Sequence, residues 1–167
     1  MNIGVRMQWY VVHTKPRQEQ RALENLERQG YRAWLPTIEV EKLRRGQLTR
    51  VIEPMFSRYL FIQLDKTQSN WSPIRSTLGV SKLVSFGNVP AVVPDTLIDA
   101  LQQADGSQRE LLLKEGDAVQ FVRGPLQGLE GILQQRDGEM RALVLIELIS
   151  QPQRVSISVA DIRPLAI

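Results

Sequence analysis

The sequence predicts an α+β protein in two parts, and three observations predict it. Short β-rich runs alternate with helical patterns as far as Ala104. A polar Asp105-Gly106-Ser107-Gln108 segment then interrupts the apolar pattern and reads as a linker. Beyond it, an alternating strand opens on Gly116-Asp117 and runs into glycines at 124, 128 and 131. A chain of 167 residues accommodates two small domains of this kind. They are placed at 1–104 and 114–167, with the linker over 105–113.

In the first part the order is strand, helix, hairpin, strand, helix. Trp9-Tyr10-Val11-Val12-His13 is a short β-rich run. Pro16 stands where a helix can start, because its fixed φ and missing N–H are harmless at a first helical position. Gly30 marks the far end as a left-handed C-terminal cap. Between them Ala22, Leu23 and Leu26 share one face at helical spacing. Arg17, Arg21, Asn25 and Arg28 fall together on the opposite side. Two β-like runs follow over 33–43 and 48–54, joined by a basic turn at 44–47, and residues 59–64 read as a buried strand. After a loop over 65–72, a short helix is expected near 73–77 and a strand at 82–86. Pro94 and Asp95 open the last helix, with Leu97, Ile98 and Leu101 on one side.

The second part carries a conflict. Residues 118–122 and 154–159 alternate apolar and polar, as strands with one buried face should. The stretch between them does not. Leu126, Leu129, Ile132, Leu133, Met140, Leu143, Val144, Glu147 and Leu148 fit helical spacing nearly as well. A turn at 135–139 would close a β-hairpin or a helical hairpin. Leu, Met, Arg, Gln and Glu favour helices, while Gly128 and Gly131 oppose one at about 1 kcal/mol each relative to alanine. A minimally frustrated single fold avoids such local disagreement. A small β-barrel and an α-helical hairpin both stay open here, with the helical hairpin favoured. Pro152 would stop its second helix at about Ser150.

Composition narrows the function. Hydrophobic content of 43% is enough for packed cores. No run reaches the roughly 18 apolar residues of a membrane span. Residues 1–8 hold no apolar signal core, so a cytoplasmic, monomeric protein is expected, with Met7 a second candidate start. Without cysteine there is no disulfide and no thiolate metal site. His13 alone offers neither a triad nor a metal cluster, and the glycines at 124–131 lack the Lys-Ser/Thr of a phosphate loop. No enzyme, no cofactor and no metal are expected. Residues 1–104 hold 14 Lys/Arg against 9 Asp/Glu, and residues 105–167 hold 7 against 9. With a pI near 9.5, that division suits a nucleic-acid contact on the first part.

Several segments resemble the NusG family in the expected order: 9–12 (WYVV), 15–30 (KPRQEQRALENLERQG), 53–64 (EPMFSRYLFIQL), 70–80 (NWSPIRSTLGV) and 115–131, which resembles a KOW motif. Within the family, 41–54, the Glu53-Pro54 pair and 84–94 (VSFGNVPAVVP) resemble the specialised RfaH branch. The resemblance implies an N-terminal NGN domain, an antiparallel sheet flanked by helices, and a C-terminal KOW domain. It further implies a factor that rides on bacterial RNA polymerase and suppresses pausing. The positions matching the pocket for the polymerase clamp helices are Tyr59 and Phe61, with Phe56, Ile98 and Leu101 nearby. Aromatic residues suit such an anchor, burying a large area at low entropic cost, although strand aromatics also suit an ordinary core.

The positions matching a surface for the exposed non-template single strand are Lys15, Arg17, Gln18, Arg21, Asn25, Arg28 and Gln29. Arg and Lys attract phosphates, and Asn, Gln and Arg can read unpaired base edges. Asn25 stands where the RfaH branch carries histidine, and Leu78 where it carries arginine. Ser69-Asn70-Trp71-Ser72 matches the loop that faces the opposite jaw of the polymerase cleft. In that branch the C-terminal domain packs on the NGN pocket as a helical hairpin. On release it refolds into a barrel that recruits a small-subunit ribosomal protein. Glu53 and Arg141 match its interdomain ion pair. Two other roles compete with an operon-specific antiterminator: a general NusG factor that touches Rho, and a KOW-containing RNA-binding protein of the ribosome.

Overall fold

The computed structural model describes residues 7–65, 71–104, 119–121, 131–135, 137–150 and 162–164. Its organising strand is β1 (Met7–Thr14), whose central residues are buried on both faces. Helix α1 (Glu19–Arg28) follows it. Next come the strands β2 (Arg32–Trp34), β3 (Thr37–Arg44), β4 (Gln47–Pro54) and β5 (Tyr59–Asp65). The short helix α2 (Ser72–Arg75) leads to β6 (Val80–Leu83), β7 (Ser85–Phe86), β8 (Val89–Pro90) and β9 (Val92–Val93). Helix α3 (Asp95–Ala104) ends this part.

The main sheet is antiparallel, in the order β2-β5-β1-β6, with β9 also paired to β1. β1 and β5 pair from Met7↔Asp65 to His13↔Tyr59. β6 and β9 share the other edge of β1, meeting it at Val12–Thr14 and at Trp9–Tyr10. Because successive side chains point to opposite faces, the sheet separates two cores. On one face Tyr10, Val12, Leu60, Ile62 and Leu64 pack against Ala22 and Leu26 of α1 and Ile74 of α2. On the other, Trp9, Val11 and Phe61 pack against Leu97, Ile98 and Leu101 of α3.

Local chemistry sets the boundaries. α1 closes as the glycine signal predicts. Tyr31 N–H donates to Leu26 C=O, Gly30 N–H donates to Glu27 C=O, and Gly30 takes φ 94°. This is a Schellman motif. The start differs from expectation: the helix begins at Glu19 rather than at Pro16. Arg17 sits at φ 62°, a left-handed conformation that no α-helix propagates. The run expected over 33–43 is two strands, split at Leu35-Pro36, because proline cannot donate to a ladder. The turn is tighter than the expected 44–47. Only Arg45 and Gly46 are unpaired, at φ 52° and 78°, as in a type I′ turn. The strand expected at 82–86 is likewise divided into β6 and β7.

In the second part β10 (Val119–Phe121) pairs antiparallel with β11 (Ile162–Pro164). Between them lie a helical turn at 131–134 and helix α4 (Gly138–Ser150). The helical alternative therefore holds for 138–150. Asp137 caps α4, its Oδ1 accepting from Glu139 N–H at 2.7 Å and Met140 N–H at 3.1 Å. The helix is described as far as Ser150, and Pro152, expected to stop it there, lies outside the described residues. The expected linker, the segment 122–130 and the strand expected at 154–159 lie outside the described residues.

Candidate functional site

The face of the sheet that carries Phe61 is the first candidate. Phe56, Phe61, Ile98 and Leu101 are all buried there, and half-buried Tyr59 packs at its edge. The sheet, the β4–β5 connection and α3 bring them together. Phe56 meets Phe61 edge-on at 5.9 Å, and Trp34 stacks on Phe61 at 5.4 Å. Sequence reasoning missed Trp9, Trp34, Ile38 and Met55, which belong to the same cluster. Trp9 was accessible from strand alternation with Val11. The others needed the fold.

α4 lies over this face. Ala142, Leu145, Leu148 and Ile149 are buried against it, joined by Ile132 and Leu133 from the preceding turn. Met140 and Leu143 point outward to solvent. The polar rim is as specific as the apolar centre. Arg141 is fully buried. Its Nε donates to Met55 C=O at 2.6 Å, its Nη1 to Gln135 C=O at 3.0 Å and its Nη2 to Glu53 Oε1 at 3.2 Å. The expected Glu53–Arg141 pair is thus present. Glu53 Oε2 also meets Lys42 Nζ at 2.7 Å, so one carboxylate holds a buried and an exposed cation. Ser57 N–H donates to Gly138 C=O at 3.1 Å, which ties the start of α4 to the β4–β5 connection.

The basic surface lies on the other side of the sheet. Lys15 and Arg17 precede α1; Arg21, Asn25 and Arg28 are on it, with Gln29 at its end. Lys15, Arg17, Arg21, Arg28 and Gln29 are exposed, while Gln18 and Asn25 are half-buried. The two amides are already engaged through their nitrogens. Asn25 Nδ2 donates to Arg21 C=O at 2.7 Å. Gln29 Nε2 donates to Asn25 C=O at 3.1 Å and to Thr77 Oγ1 at 2.7 Å. Their side-chain carbonyls are what such a surface can offer a base edge. Leu78 is exposed beside Thr77. Trp71 packs edge-on against Tyr10 at 4.8 Å and donates to Asp65 C=O at 3.3 Å. Ser69 and Asn70 lie outside the described residues.

Titration adds one observation. The His13 ring lies against Tyr59 at 4.9 Å with a tilt of 34°, and among the described residues its Nδ1 has no hydrogen-bond partner. Burial first, then Arg58 and Lys82, hold its pKa below the ordinary 6.5. Among the described residues no group of three His, Asp or Glu side chains could hold a metal ion. No helix among them is long and apolar enough to cross a membrane.

Residues 7–102 match the family model NusG, "Transcription termination factor nusG". The transcription termination/antitermination protein NusG of Thermus thermophilus is 28% identical over 165 residues, covering 84% of this chain and 90% of its own. That of Staphylococcus carnosus is 24% identical over 173 residues, covering 94% of this chain and 95% of its own. A solved structure, "Domain interaction in Thermotoga maritima NusG", aligns at TM-score 0.41 and 24% identity over 59% of this chain and 56% of that one. The family match spans more than half of the residues, including β1, α1, β5 and most of α3, and the chain belongs to the NusG family.

Proposed function

We propose that this protein is an operon-specific elongation and antitermination factor of the RfaH kind, held closed by its own C-terminal helix. In this reading the Phe56–Phe61–Ile98–Leu101 face binds the clamp helices of bacterial RNA polymerase, with Tyr59 at its rim. The Lys15–Gln29 surface contacts the non-template single strand. Residues 1–104 form the polymerase-binding domain, 105–113 the linker and 114–167 a domain that couples transcription to translation through a small-subunit ribosomal protein. The supporting observation is α4 lying over that face, with fully buried Arg141 bonded to Glu53 and Met55. A partner cannot reach an apolar face that is already covered, so binding requires α4 to leave.

The relatives carry the name of a termination/antitermination protein, and on similarity alone they favour a general NusG factor. Binding of core RNA polymerase separates the two readings. It is compared for the full chain, its Glu53→Ala variant and residues 1–104. Tight binding by the variant and the fragment, with scarcely any by the full chain, is the expected result. Equal binding by all three removes the autoinhibited reading and leaves the general factor.

A further inference from the structure

The β3–β4 ribbon leaves both cores beyond the Val40↔Val51 pair, and every residue from Glu41 to Arg50 is exposed. Its distal pairs are Glu41↔Arg50, Lys42↔Thr49, Leu43↔Leu48 and Arg44↔Gln47. Opposed residues in an antiparallel pair share a face. One face of the arm therefore carries Lys42, Arg44, Gln47 and Thr49, all hydrogen-bond donors, and the other carries the leucine pair, 71% and 73% exposed. The arm holds four cations, at 42, 44, 45 and 50, against one acid, Glu41. Lys42 is matched by Glu53, and Arg50 lies near Glu39 and Glu41. Arg44 and Arg45 face no carboxylate among the described residues.

The apex is a second, independent observation. Arg45 occupies the first central position of the turn at φ 52°. Gly, Asn and Asp are the residues that accept that conformation readily. Among the described residues no hydrogen bond or ion pair of this exposed arginine offsets its cost, and backbone outliers of this kind gather at functional positions.

We infer that this ribbon is a second nucleic-acid contact, which enters the major groove of a B-form DNA duplex. A two-stranded ribbon fits a groove about 12 Å wide, and the exposed arm, four paired residues per strand at about 3.3 Å each, exceeds its depth of about 8.5 Å. Arg44 and Arg45 meet phosphates, which position the arm. Gln47 and Thr49 face base edges, and the leucine pair lies against the groove wall. The deep, narrow major groove of duplex RNA does not admit such an arm. The inference goes beyond the single-strand surface on α1 and depends on neither polymerase nor the release of α4.

Fluorescence anisotropy of the full chain with a labelled DNA duplex of about two helical turns, titrated with salt, tests it. Arg45→Asn removes the charge while keeping a residue suited to the turn, so its melting temperature reports that the ribbon is intact. Combined with Arg44→Gln, it is expected to weaken duplex binding about tenfold and to lower the salt slope by about two. Arg32→Gln, an exposed cation on β2 outside both proposed contact surfaces, is expected to leave the duplex titration nearly unchanged. Duplex binding by the ribbon variant equal to the parental chain's overturns the inference. So does an equal loss with Arg32→Gln, which reports net charge alone. A loss confined to a single-stranded oligonucleotide or to polyglutamate also overturns it, by assigning the arm a different partner.

Discussion

Gly138 and Ser57 meet so closely that a Cβ at position 138 would overlap Ser57 Oγ and lie 3.2 Å from Ser57 N. The hydroxyl can rotate away, but the backbone nitrogen cannot, because it donates to Gly138 C=O. In a free helix Gly→Ala is stabilising, by about 1 kcal/mol in the interior and by less at a first position such as this. Here the docked position leaves little room for a side chain. Gly138→Ala is therefore expected to strengthen α4 as a helix and weaken its seat on the sheet. Tryptophan emission reads this, since Trp9 and Trp34 belong to the covered cluster. A red shift with retained helicity is expected, and unchanged emission would show that the interface has room to spare.

Glu53 stands between two cations of very different exposure. Lys42 is about half-exposed, and an ion pair of that kind contributes at most about 1 kcal/mol. Arg141 is buried, and depriving a buried charge of its partner costs about 3–5 kcal/mol. Glu53→Ala is thus expected to loosen α4 strongly and Lys42→Ala barely. Hydrogen exchange of the amides in 138–150 measures both, and equal protection loss in the two variants would refute the ranking.

Gly79 illustrates a different constraint. At φ 90° it packs against α1, where a Cβ would lie 2.8 Å from Ala22 N and 3.1 Å from Gln18 C=O. Both neighbours are backbone, so neither can rotate out of the way. Gly79 C=O also accepts from Lys15 N–H, which places the start of the basic surface. Gly79→Ala is expected to cost about 2 kcal/mol or more. Urea denaturation gives the number, and a loss below about 0.5 kcal/mol would contradict the packing described.

His13 makes the fold sensitive to acid in a defined direction. Its folded pKa lies below the ordinary 6.5, so the unfolded chain takes up the proton more readily. The stability tied to neutral His13 is complete above about pH 6.5 and is lost as pH falls through the folded value. His13→Gln is expected to flatten that part of the profile. Melting curves of both proteins from about pH 8 to about pH 5 test it, and parallel profiles would exclude His13 as the source.

Some elements are legible in the residues alone because their signals act over a few positions. Gly30 predicts the left-handed end of α1, Pro94-Asp95 the start of α3, and the β-rich run from Trp9 to His13 the strand β1. The Glu53–Arg141 pair follows from family resemblance rather than from residue patterns, which hold no information about a contact between positions 88 residues apart.

Other features depend on the assembled fold. Arg17 and Arg45 adopt positive φ where their residue type disfavours it, so no propensity could place the true start of α1 or the two-residue turn. The stretch 138–150 is apolar around much of its circumference, and its periodicity alone could not say which side would be buried. The glycine end of α1 and the proline start of α3 rest on local terms in the free energy, and the order of residues is enough to set them. Tertiary packing was needed to establish that Ala142, Leu145 and Ile149 join the cluster of Phe61, that Gly138 has little room for a side chain, and that Lys42 shares Glu53. Burial and close approach depend on a partner surface distant in the chain, which exists only once the sheet has assembled.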